Sequence, residues 1–125
     1  MPVTLSNNQV PEDFSESIMT SIKKMLGTMY ESENVFDTDI IVWINSAFMV
    51  LTQLGVGPKT GFSITGDSEK WTDFVQDASI LSGAKSYVYM RTKLGFDSST
   101  LPSSVITSYE KMIQDYEWRL NVAAD

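Results

Sequence analysis

From Ile40 to Pro58 the sequence carries no charged side chain. Few folds can accept such a stretch. A membrane-spanning helix needs about 20 apolar residues. The helical part here is shorter and holds Asn45, Ser46, Thr52 and Gln53, so it reads as a helix packed on protein. It is expected over roughly residues 38–54. Asp37 or Thr38 is placed to cap it, and Asp39 suits the positive end of its dipole. Gly55 ends it, and Gly57-Pro58 prevents it from resuming. At about 100° per residue, Ile40, Ile44, Ala47, Phe48, Leu51 and Leu54 share one face, the natural core side. The opposite face is Val42, Asn45, Ser46, Met49, Thr52 and Gln53, with Val50 on its flank. A chain that works alone would place Lys or Glu there. A chain that packs against copies of itself would not, so Val42, Met49 and Val50 are expected at or near a subunit interface.

The remaining pattern is also helical. Ile18, Ile22, Met25, Leu26 and Met29 recur at helical spacing over residues 14–29, with Asp13 and Glu16 spaced as a capping box. Ser68 is placed to cap a brief helix through Trp71 and Phe74. A further helix is expected from about residue 78 to 94, ended by Gly95-Phe96-Asp97. The last, about 104–120, repeats Ile106, Tyr109, Ile113, Tyr116 and Leu120 at three-four spacing. Residues 59–67 form a loop in which Phe62 and Ile64 alternate, compatible with a short hairpin. The expected fold is therefore all-α: a compact bundle of four to five helices with a loop or hairpin around 59–67. One domain spans 14–122, between a polar arm over 1–13 and a short tail over 123–125. With 125 residues, 42% of them apolar, the chain can bury a core of its own.

Chemistry is restricted by what is missing. The chain has no His and no Cys, which removes the usual general base, the thiolate and the commonest metal ligands. Asp37 and Asp39, and Asp73 and Asp77, lie at or near helix ends, where acids serve as caps. No glycine run leads into the Lys-Ser/Thr of a phosphate loop. No catalytic, cofactor or metal site is expected. The nine basic residues among sixteen acids leave a net charge of -7, which argues against a nucleic-acid footprint or a helix-turn-helix DNA binder. The first residues lack the basic start and apolar run of a secretory signal.

Two further places stand out. Arg91 projects from the same helix face as Ala84, Tyr87, Val88 and Leu94. It reads either as an arginine reaching out from the core edge or as a paired arginine fixing a contact with a neighbouring subunit. At the chain's end, Trp118 is off the seam to which Tyr116 and Leu120 belong. Trp and Arg are enriched at interface hot spots, so the Trp118-Arg119 end is a second candidate contact; the alternative is that Trp118 packs on a loop of its own chain.

The run Ser21-Ile22-Lys23-Lys24-Met25-Leu26-Gly27 resembles the start of the small head–tail connector proteins of long-tailed double-stranded DNA phages. So do Phe36-Asp37-Thr38-Asp39-Ile40-Ile41, Ile44-Asn45-Ser46-Ala47-Phe48 and Leu51-Thr52-Gln53-Leu54-Gly55-Val56-Gly57-Pro58. The likeness resumes at Trp71-Thr72-Asp73-Phe74, at Lys85-Ser86-Tyr87-Val88-Tyr89-Met90-Arg91-Thr92-Lys93-Leu94, and at Tyr116-Glu117-Trp118-Arg119-Leu120-Asn121, so that it covers about residues 18–122. The resemblance implies a helical wedge that assembles as a ring under the portal, typically of twelve copies. Such a ring extends the DNA channel, without sequence-specific DNA binding, and docks the next head-completion or tail protein. It also implies a portal or neck contact through the C-terminal segment, here Trp118 to Val122. From the residues alone, a helical module that binds and regulates another protein is the alternative.

Overall fold

The computed structural model describes residues 12–124, with side chains from Phe14 onward. The expected arm over residues 1–13 falls almost wholly outside them, as does Asp125. Among the described residues there are seven helices and no strand: α1 (Glu12–Ser15), α2 (Ile18–Leu26), α3 (Thr28–Ser32), α4 (Asp37–Gln53), α5 (Trp71–Phe74), α6 (Ala78–Asp97) and α7 (Ser103–Ala124). The chain is all-α as its periodicity predicts, with four longer helices and three of a single turn or little more.

α6 is the hub. α7, α4, α2 and α5 all pack on it. Its Leu81, Ala84, Tyr87, Val88 and Met90 are buried. α4 contributes Ile40, Ile44, Ala47, Phe48 and Leu51, all fully buried, so the face expected to be its core side is the core side. Apart from the small Ala47, each such side chain contributes about 1.5–3 kcal/mol relative to exposure, which makes this helix a principal source of stability. Trp71 is fully buried too, and its indole N–H donates to Ser21 Oγ at 2.8 Å. That bond satisfies the one polar atom an interior Trp must place.

Three helix boundaries differ from the sequence pattern, each for a local reason. The expected helix over 14–29 is broken into α1, α2 and α3. Ser17, and not Asp13, caps α2, its Oγ accepting from Thr20 N at 2.9 Å. The break after α2 falls at Gly27, whose φ of 131° no L side chain adopts readily. α4 begins at Asp37 without a side-chain cap. Asp37 instead pairs with Lys23 Nζ at 2.8 Å and ties α2 to the first turn of α4. α6 continues through Gly95 to Asp97, because the indole of Trp43 lies against the bare Gly95 backbone. A Cβ there would stand 2.3 Å from Trp43 Cε2. α7 likewise runs past residue 120 to Ala124, so residues 123 and 124 are helix and not tail.

The segment over residues 59–67 is a loop with no hairpin. Asn45 explains how it is held. Its side-chain amide donates to Ile64 O at 2.9 Å and accepts from Ile64 N at 2.8 Å. One α4 side chain thus supplies both bonds that a neighbouring strand would have supplied. Ile64 is buried beneath that clamp, and Phe62 packs edge-on against Phe48 at 4.9 Å. The α5 turn is capped by its own Asp73, whose carboxylate accepts from Lys70 N at 2.9 Å, and not by Ser68.

Candidate functional site

Among the described residues, six of the nine exposed large apolar side chains lie on α4 and α7; the others are Met25, Met29 and Val35. On α4 they are Val42 (61% exposed), Met49 (59%) and Trp43, with Val35 (75%) two residues before the helix. Val42 and Met49, seven residues apart on α4, share one row, and Val35 lies in the turn that leads into the helix. Val50 is half-buried and packs on the core, which places it on the flank of this surface. Asn45 and Thr52, expected on the same outer face, are turned to local bonding: Asn45 clamps the loop, and Thr52 Oγ1 donates to Phe48 O at 3.0 Å.

Arg91 lies between α4 and α7. Its Nη1 is 3.6 Å from Glu117 Oε2 and 3.4 Å from the Tyr87 hydroxyl, which itself donates to Glu117 Oε2 at 2.7 Å. The guanidinium also lies over the Tyr87 ring, 5.7 Å from its centroid. Burial foremost, then the bond to Glu117, pushes the Tyr87 hydroxyl well above the ordinary tyrosine pKa. The arginine's pairing group is thus in its own chain, and the Tyr87–Glu117–Arg91 set joins α6 to α7. Arg91 Nε is buried without an acceptor. Beside it opens a cleft of about 660 Å³ lined by Trp43, Leu94, Gly95, Ile113, Glu110 and Gln114. Sequence patterning did not mark Trp43 as part of this cleft. Its tie to Gly95 is long-range, and nothing in the local periodicity signals it.

At the end of α7, Trp118 is the most exposed aromatic of these surfaces, at 67%, and Val122 is 51% exposed. Arg119 is exposed and pairs with Asp115 at 2.8 Å. Asn121 donates to Leu54 O at 3.0 Å, holding the end of α7 to the end of α4. Leu120 is different: it is buried, and its Cδ2 would meet a Cβ placed on Gly83 at 3.3 Å. A residue so placed anchors the helix and offers no surface, so Leu120 belongs to the core beneath this contact.

Among the described residues, no group of three His, Cys, Asp or Glu is placed to hold a metal. No helix there is long and apolar enough to cross a membrane. What the geometry defines is an all-α bundle whose exposed apolar side chains are concentrated on α4 and α7. The family model of phage connector proteins matches residues 18–125, and the chain belongs to that family. It is a structural connector of a phage. No curated protein and no solved structure matches it.

Proposed function

We propose that this chain is a subunit of a ring beneath the portal of a tailed phage. The ring extends the DNA channel and docks the next head-completion or tail protein. The family match over residues 18–125 carries the reading. The rest of the chain agrees with it. Val42, Met49 and the flanking Val50 supply a lateral surface that costs little to desolvate, because no charge lies between Ile40 and Pro58. Arg91, on the rim of the neighbouring cleft, borders that lateral contact. The exposed end of α7, with Trp118, Arg119, Asn121 and Val122 over the buried Leu120, meets the portal or neck. A net charge of -7 suits a channel through which DNA slides, since few cations are there to hold phosphates. Assembly takes place in the host cytoplasm and the product resides in the virion neck.

Size-exclusion chromatography with light scattering, run on the chain alone and with the portal protein of the same phage, tests this. The expected result is a portal-bound assembly of several copies. A chain that elutes as a monomer and ignores the portal contradicts the reading.

A further inference from the structure

A closed ring repeats one contact, and that contact joins two different patches of the same chain. The α4 row therefore meets a different surface of the next copy. Besides that row with Trp43 and Val35, the exposed large apolar residues among those described are Met25 and Met29, and Met112, Trp118 and Val122 on α7. Met25 and Met29 stand on either side of the break at Gly27, on helices of nine and five residues, and form no continuous row. α7 has 22 residues and can lie along the 17 of α4.

We infer that the outer face of α4 packs antiparallel against the outer face of α7 of the neighbouring copy; this rests on the ring reading above. Direction follows from charge. α4 has acids in its first turn, Asp37 and Asp39, and no basic residue in its last turn. α7 exposes Lys111 beside Glu110 near its middle, and near its end Arg119, whose Nε pairs with the exposed Asp115 and whose side chain stays largely exposed. The antiparallel arrangement sets Arg119 of one copy beside Asp39 of the next, and Lys111 against the uncharged middle of α4. It also brings the last turn of α7, which has no basic residue, to the positive end of α4. A parallel arrangement would align the two dipoles and draw Arg119 away from Asp39. Between the charged ends, Trp118 and Val122 meet the Val35–Val42 stretch. On this inference Trp118, Arg119 and Val122 serve the lateral contact instead of the portal, to which only Asn121 of the exposed α7 end is left.

The chain has no cysteine, so introduced pairs report cleanly. In the antiparallel register Ser46 lies opposite Lys111. A disulfide needs the two Cα atoms within about 7 Å. The double variant Ser46→Cys/Lys111→Cys, oxidised mildly with portal present, is expected to give a ladder of dimers, trimers and higher products. Each single variant should give at most dimers. A mixture of the two single variants should give a mixed dimer. Ser46→Cys/Arg119→Cys, the parallel control, should give little product. No ladder from the first pair, products that stop at the dimer, or a stronger ladder from the control overturns the inference. Light scattering on the unmodified chain keeps the two ideas apart. Assembly on the portal without the ladder sinks only the face assignment, whereas no assembly at all sinks the ring reading with it.

Discussion

Gly95 and Tyr87 show how single residues set the shape of this molecule. Gly95 is helical, and Trp43 occupies the space where its side chain would be. Gly95→Ala should therefore displace the indole rather than break α6. The expected result is a changed tryptophan emission in a Trp118→Phe background, where the fully buried Trp71 is the one other indole and should keep its signal, with a loss of about 1–3 kcal/mol from overpacking. Tyr87 carries a pH dependence. Its pKa is raised in the folded chain, mainly by burial. Below the ordinary tyrosine value of 10.0, folded and unfolded chains both keep the proton and the contribution is whole. Above it the unfolded chain ionises while the folded chain does not, so stability falls as pH rises toward the folded value. Urea midpoints measured from pH 9 to 11 should drop for the wild type and drop less steeply for Tyr87→Phe. Tyr30 and Tyr89, also raised chiefly by burial, and Lys93, raised chiefly by its bond to Asp97, add to the slope in the same direction. Equal slopes in the two proteins would contradict this role for Tyr87.

At the scale of the helices, α4 connects most of the structure to the rest. Its inner face fills the core, Asn45 holds the loop through Ile64, and Asp37 binds Lys23 of α2. Lys23 is only 10% exposed along its side chain, and its other contact, Asn34 Oδ1, is long at 3.4 Å. Asp37→Ala leaves that ammonium without its counter-charge and should cost about 2–3 kcal/mol in chemical denaturation. Lys23→Met in the same background should restore much of it, because the charge that lost its partner is gone. The periodicity of α4 made both its existence and its buried face legible in the sequence, since burial alone determines that pattern. Its clamp on the loop was not legible. Asn45 falls on the outer face by angle, and only the path of residues 59–67 brings Ile64 within reach. The same limit hid the length of α6. Gly-Phe-Asp is a stop signal locally, and the tertiary contact with Trp43 overrides it. Leu120 was readable as a seam residue, and the structure places it there and not on the contact surface.

For the whole molecule, the question is why so much apolar surface stays uncovered in a chain that folds well. Val42 and Met49 lie outside the core, 61% and 59% exposed. Met49→Glu should leave the far-UV circular dichroism and the denaturation midpoint within about 0.5 kcal/mol of wild type, as for other exposed positions. It should nonetheless abolish co-elution with the portal as a multi-copy assembly, since a buried unpaired carboxylate costs far more than the contact contributes. Composition made the lack of reactive residues readable at once, and the family likeness made the phage setting readable. The identity of the contact partners was not readable, because an uncharged face states that something covers it and not what. A density map of the neck in intact particles tests the central claim most directly. The account predicts a ring of this chain directly beneath the portal, with the outer face of α4 buried against the neighbouring copy. A neck without this chain, or a ring in which Val42 and Met49 face solvent, would contradict it.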